Sequence, residues 1–248
     1  MVLIVGHRGA RDLWPENGLD GFRRVRDLGV DAVEFDVHLA RDGEPVVIHD
    51  PTLERTAEGK GPVAERTAAE LAATRLRGGD GEGVPRLEAV LDVFAGPPIE
   101  LQIEIKADVL GRVYPGVERT LLALLDRRGL GDRTVVTSFL PEVLRAIREL
   151  APRQRVLGSL DRRSCQHMGG FEPALERFAS IEGCLVAVEK ELLGRALDVA
   201  LGRLGGERLG VAVPNDEREL ASWLAAPVRQ ITTDRPDIAL KLRASAPG

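Results

Sequence analysis

Short β-rich runs alternate with helix-period segments along the whole chain. The β-type runs fall at 2–6, 31–38, 99–106, 133–138, 154–159, 183–188, 209–213 and 229–233. Between them apolar residues recur at i, i+3, i+4 spacing, which predicts amphipathic helices. Leu19, Phe22 and Val25 mark one in 18–28, and Leu87, Val90, Leu91 and Phe94 another in 87–95. Leu121, Leu124 and Leu125 mark the next, followed by Val143, Leu144, Ile147 and Leu150 behind Pro141. Helical pattern continues at 172–179, 191–204 and 216–225, and Pro236 opens a last helix. Ser164–Gly170 reads as loop.

Eight strand–helix units in series predict a parallel sheet, because parallel strands need crossover connections. Eight units can close on themselves, so the expected fold is α/β, a (β/α)₈ TIM barrel, with 1–248 as a single domain. Only 51–86 breaks the spacing. It is expected to be a small insertion after the second strand, beside the barrel mouth, with a short helix near 67–76 and a flexible loop at Gly78–Gly83.

Buried parallel strands should be nearly continuous apolar runs. Here Glu34, Asp36 and His38 alternate with Val33, Phe35 and Val37, so three polar groups share one face of the second strand. Taken alone, that alternation reads as the solvated face of an antiparallel sheet. The ends of the other strands change the picture. His7 and Arg8 end the first, Glu104 and Lys106 the third, Ser138 the next, and Thr233-Asp234 the last. The turn Arg41–Pro45 leads into a short extra run, Val46–Ile48, that delivers His49. Barrel enzymes keep their chemistry at the C-terminal strand ends, so this placement points to a functional site.

If Glu34, Asp36 and Glu104 converge, carboxylates about 4 Å apart repel by ~4 kcal/mol per pair at an effective dielectric of 20. A cation or a proton must relieve that. An all-oxygen trio suits a hard divalent ion, Mg²⁺ or Ca²⁺ with Mn²⁺ as a third candidate, better than zinc. Arg8 and Lys106 add positive charge fit for a phosphate. His7 and His49 titrate near neutral pH, so one can give and the other take a proton. Metal, cations and two histidines in one pocket describe phosphoester cleavage.

Net charge of −5 provides no basic stripe for nucleic acid. No apolar run approaches the roughly 18 residues of a membrane span, and no basic amphipathic segment offers stable membrane association. Met1–Gly6 shows no secretory signal, and Cys165 and Cys184 lack metal-ligand spacing and cannot make a disulfide scaffold. A cytoplasmic location is expected.

The ordered string His7-Arg8-Gly9-Ala10, Pro15-Glu16-Asn17, Glu34-x-Asp36-Val37, Asp42-Gly43, His49-Asp50, Arg55-Thr56, Pro85-x-Leu87-Glu88 and Glu104-Ile105-Lys106 resembles the glycerophosphodiester phosphodiesterase family. Weaker echoes follow at Ser138-Phe139 and Thr233–Pro236. The resemblance implies a barrel that hydrolyses small-molecule glycerophosphodiesters to glycerol 3-phosphate and an alcohol. It implies a divalent metal on Glu34, Asp36 and Glu104, acid–base work at His7 and His49, and Arg8 and Lys106 near the phosphate. Glu16, Asn17 and Phe139 are further candidates for substrate binding. A related lipid phosphodiesterase acting at membranes and a non-catalytic phospho-ligand-binding barrel are the alternatives. The head group, the order of the two histidines and the oligomeric state are left open.

Two positions depart from the family pattern. Gly18 stands where a capping Thr is usual, which leaves Asn17 to cap the first helix. Ala212, three residues before Asn215, replaces the usual tryptophan and removes an aromatic wall. Other polar residues have plainer readings. Asp50 is either a turn former or a partner of His49, and adjacent side chains point to opposite faces. Asp234 is expected to bond backbone at the barrel rim, His38 to support its neighbours, and His167 to sit on the surface. Glu100 and Gln102 would form a buried polar layer, and Trp14 and Phe139 pocket walls.

Overall fold

The computed structural model describes residues 1–96 and 98–245. Its strands are β1 (Leu3–His7), β2 (Ala32–Leu39), β3 (Pro45–Val47), β4 (Glu100–Ile105), β5 (Thr134–Ser138), β6 (Arg155–Leu160), β7 (Leu185–Glu189), β8 (Leu209–Ala212) and β9 (Gln230–Thr233). They form one sheet in the order β1-β9-β8-β7-β6-β5-β4-β2-β3, and β1 also pairs with β2, closing the parallel strands into a barrel. β3 is the exception, antiparallel to β2 with Val37 opposite Val47.

The helices are α1 (Leu19–Leu28), α2 (Ala68–Ala72), α3 (Leu87–Val93), α4 (Val117–Arg127), α5 (Pro141–Leu150), α6 (Arg162–His167), α7 (Phe171–Ala179), α8 (Lys190–Leu204), α9 (Glu217–Leu224) and α10 (Pro236–Ser245). The apolar stripe of α1 buries Phe22 edge-on to Phe35 of β2 at 5.5 Å and to Phe94 beyond α3 at 5.9 Å. Such pairs add specificity to area burial by fixing ring orientation. Lower in the barrel, Gln102 and Gln230 exchange side-chain amide bonds of 2.8 and 3.0 Å, and Gln102 also donates to Glu100. The polar layer thus finds the partners that burial demands.

Two local expectations change. The stretch expected as loop at Ser164–Gly170 begins inside α6, where Asp161 caps the Ser164 amide at 2.6 Å and Ser164 Oγ accepts from the Asp161 amide in return. Serine, rather than glutamate, closes this capping box, which hid it from the pattern. Asn17 does not cap α1. Instead the Glu82 carboxylate, from the insertion, accepts from the Asp20 amide at 3.2 Å. A Cβ on Gly18 would meet Glu82 Oε1 at 2.3 Å, so glycine there makes room for a cap delivered from 62 residues away.

The insertion has a core of its own. Val46, Ile48, Leu53, Val63, Leu71 and Val84 pack together, all essentially inaccessible to solvent. α2 closes on a capping box between Thr67 and Glu70. The Gly78–Gly83 run is tied back by the bond from the Leu76 amide to the Glu82 carbonyl, and Gly83 lies flush against the Ala72 carbonyl.

Candidate active site

Strand register brings the acidic side chains together. In β2 and β4, Asp36 stands opposite Glu104 and Glu34 opposite Gln102; in β1 and β2, His7 stands opposite Glu34. Alternation aims Glu34, Asp36 and His38 to the same side, while β2 is buried along its full length. One carboxylate oxygen from each of Glu34, Asp36 and Glu104 lies within 4.8 Å of the others. Lys106 Nζ donates to Glu104 Oε1 at 2.7 Å and lies 3.5 Å from Asp36 Oδ1; Arg8 Nε approaches Asp36 Oδ2 at 3.3 Å.

These charges set one another's protonation. Burial pushes Glu34 well above the usual carboxylate range, and the charges of Asp36 and Glu104 push it further. Burial acts the same way on Asp36, but Lys106 and Arg8 overcome it and hold Asp36 well below that range. Glu104 is raised because burial outweighs Lys106. The donors fit a hard divalent ion: three carboxylates converge, and Asp36 Oδ1 is buried without a hydrogen-bond partner among the described residues.

Each of His7 and His49 is held by an aspartate. His7 Nδ1 donates to Asp234 Oδ1 at 2.5 Å, and its Nε2 lies 3.8 Å from Glu34. Asp234 is inaccessible to solvent and receives a second bond, 2.7 Å, from Asn215 Nδ2. Arg11 Nε stands 2.9 Å away. Burial would raise Asp234, but the His7 bond and the His7 and Arg11 charges bring it down to about 2. His49 Nδ1 donates to Asp50 Oδ1 at 2.6 Å. A carboxylate can only accept, so both imidazoles carry their proton on Nδ1 and keep Nε2 for the cavity. Burial lowers both histidines below their ordinary value, and Lys106 and Arg8 help take His49 to about 4.

Asp234 therefore reaches the His7 ring rather than rim backbone. Asp50 bonds His49 despite being its neighbour, because the chain has left β3 and strand alternation no longer applies. Asn215 and Arg55 were not singled out by sequence reasoning as part of this network. Their only signal was membership of short polar motifs.

Arg55, from the insertion, donates to Glu16 through both terminal nitrogens at 2.7 Å and to Asp50 through Nε at 2.6 Å. Glu16 also accepts from Arg8 at 3.3 Å. Asn17, in a left-handed conformation at φ 59°, donates to Asp36 Oδ2 at 2.9 Å. Neither Glu16 nor Asn17 lines a cavity at the mouth; Glu16 acts on Arg8, which does, and Asn17 on Asp36, which is buried behind it. His38 Nε2 donates to the His49 carbonyl at 3.0 Å, so its Nδ1 accepts from Tyr114 at 2.8 Å. Trp14 is no pocket wall but packs on the core, with Arg24 5.9 Å from its ring centre. Phe139 does line the mouth, and Lys106 Nζ lies 5.7 Å from its ring centre. Ala212 lines the mouth as well. His167 is exposed, as expected.

An acidic trio and two imidazole–aspartate pairs at the C-terminal mouth of a closed (β/α)₈ barrel place the chain among barrel enzymes with chemistry at the strand ends. The chain belongs to the glycerophosphoryl diester phosphodiesterase family, whose sequence model matches residues 7–238. A glycerophosphodiester phosphodiesterase of Caldanaerobacter subterraneus subsp. tengcongensis is 33% identical over 160 residues, 62% of this chain and 65% of that protein. That match spans less than two thirds of the relative. A glycerophosphodiester phosphodiesterase of Bacillus altitudinis is 29% identical over 257 aligned positions, 98% of each chain. Among solved structures, a putative glycerophosphoryl diester phosphodiesterase from Agrobacterium tumefaciens str. C58 superimposes with a TM-score of 0.87 at 27% identity, covering 98% of both chains. No helix among the described residues is long and apolar enough to cross a membrane.

Proposed function

We propose that the chain, folded as one domain over 1–248, hydrolyses glycerophosphodiesters to glycerol 3-phosphate and an alcohol. The observation that carries this reading is one cavity of about 310 Å³ lined by Arg8, Glu34, Glu104 and the two aspartate-held imidazoles of His7 and His49, with Asp36 buried beside the two carboxylates. Glu34, Asp36 and Glu104 would hold a divalent cation, Mg²⁺, Ca²⁺ or Mn²⁺. When bound, that ion supplies Lewis-acid polarisation of the phosphoryl group and relieves carboxylate repulsion.

The chain's own side chains do the rest. Arg8 and Lys106 bring positive charge to the phosphate, with Glu16 and Asn17 fixing Arg8 and Asp36 behind them. The glycerol 2-hydroxyl attacks phosphorus as one imidazole takes its proton at Nε2. The bond from phosphorus to the alcohol oxygen breaks, and the second imidazole, which enters the step as imidazolium with a proton on Nε2 as well as Nδ1, gives the Nε2 proton to that oxygen. Water then adds to the cyclic phosphate as the second imidazole takes its proton, the bond to the 2-oxygen opens as the first imidazolium returns its proton to that oxygen, and glycerol 3-phosphate leaves. Both imidazoles are anchored through Nδ1 and present Nε2 to the cavity, which supports proton transfer at that atom. Cys165 and Cys184 are buried free thiols, in keeping with a reducing, cytoplasmic setting.

The test is release of glycerol 3-phosphate from a glycerophosphodiester panel with Mg²⁺, Ca²⁺ or Mn²⁺. Activity should vanish with chelator and in His7→Ala and His49→Ala. Wild-type turnover in either variant would reject the assigned chemistry.

A further inference from the structure

Two cavities meet beside Glu104 and share His49, Glu104, Phe139 and Asp161. The first, about 310 Å³, lies over the barrel axis with Gln102, Thr137, Ser159 and Thr232 on its walls. The second, about 640 Å³, runs outward past Lys106 and Phe139 to Arg163, His167, Met168 and Arg177. A phosphodiester anchored where the two join has one arm for each. The smaller cavity, walled by hydroxyls and an amide, matches glycerol, and the larger one takes the leaving alcohol.

The larger groove has distinctive chemistry. Arg163 and Arg177 are exposed and form no ion pair among the described residues. Three carboxylates also face it. Glu104 is engaged by Lys106, Asp161 is engaged as the cap of α6, and Glu142 is exposed on the first turn of α5. Phe139 is the one Phe, Tyr or Trp among the described lining residues, and the Lys106 ammonium is already 5.7 Å from its ring centre. A quaternary ammonium needs open aromatic faces. Here it would meet a ring beside a cation and two further guanidiniums. A carboxylate or phosphate would instead find two planar forks shaped to receive it.

On the strength of the phosphodiesterase reading above, we infer that this groove is a leaving-group subsite for alcohols bearing an anionic group, with Arg163 and Arg177 as its specificity-determining residues. The measurement is kcat/KM of the full chain for the glycerophosphodiesters of choline, serine, inositol and inositol 4-phosphate. The inositol 4-phosphate or the serine ester should exceed the choline ester by about tenfold, the scale of one charge-assisted contact. The ester favoured over its uncharged or cationic counterpart identifies phosphate or carboxylate as the group read. The double variant Arg163→Gln/Arg177→Gln should erase the preference. Arg163→Lys/Arg177→Lys should retain part of it, because the charge remains. Equal use of choline and anionic esters, equal use of inositol and its 4-phosphate together with no preference for serine, or a preference untouched in the Gln variant would overturn the subsite while leaving the phosphodiesterase reading intact. Failure to cleave any of the four would overturn both.

Discussion

Replacing Asp234 with asparagine keeps the shape of the side chain but removes the charge that His7 and Arg11 face. In the native arrangement both carboxylate oxygens accept, one from His7 Nδ1 at 2.5 Å and one from Asn215 Nδ2 at 2.7 Å. An amide has one oxygen. The Asn215 side chain is not free to turn over, because its own oxygen already accepts from Thr233 Oγ1 and the Asp234 amide at 3.0 and 2.9 Å. The new amide oxygen must therefore serve Asn215, and its NH₂ must face His7. His7 would then accept at Nδ1 and carry its proton on Nε2, the side turned to the cavity. A general acid–base group fixed in the wrong tautomer loses about 10²–10⁴ in kcat. Stability should fall as well. Asp234 titrates at about 2 against an ordinary value of 3.8, a difference that corresponds to about 2 kcal/mol at 1.36 kcal/mol per unit. Since the folded value is the depressed one, that contribution is complete above pH ~4 and disappears as the pH falls through about 2. Steady-state release of glycerol 3-phosphate and urea unfolding at pH 7 and at low pH are the assays. The expected pattern is a large loss in kcat with little change in KM, plus a stability gap that closes in acid. A variant with kcat within threefold of wild type would refute the tautomer argument, whatever its stability.

Arg55→Lys keeps the charge but not the fork that spans Glu16 and Asp50, and should lower kcat/KM by about tenfold; Arg55→Ala should fall further, and equal activity in both would remove Arg55 from the positioning network. Saturating Mg²⁺, Ca²⁺ or Mn²⁺ at about 100 times Kd should stabilise the fold by ~2.7 kcal/mol, and the gain should vanish in Asp36→Asn; thermal melts indifferent to all three ions would dismiss the trio as a metal centre. In Gly158→Ala the new Cβ would lie 2.2 Å from Phe178 Cδ1, an overpacking that should cost roughly 1–3 kcal/mol in chemical denaturation, and an unchanged midpoint would show that α7 yields easily.

Much of this protein is decided within a few residues at a time. All eight barrel strands start and end within two residues of the β-rich runs, because burial on both faces of a parallel sheet demands local apolar runs. The i, i+2 spacing of Glu34 with Asp36 and of Glu104 with Lys106 fixes which side chains share a face, a property of any extended strand. The insertion was visible as broken rhythm, but not as a packed unit with its own core.

What the chain could not express locally is register and partnership. Asp36 meets Glu104 because β2 and β4 pair in one register; a slip of one residue would turn the two carboxylates to opposite faces. Asp234 orients His7 across 227 residues, and Asn215 orients Asp234 only because β8 and β9 end side by side. Glu82 caps α1 from the insertion, and Arg55 ties the same insertion to Glu16 and Asp50. Sequence patterns carry the periodicity of each element, whereas these contacts exist only once the barrel has closed and the insertion has docked on its rim.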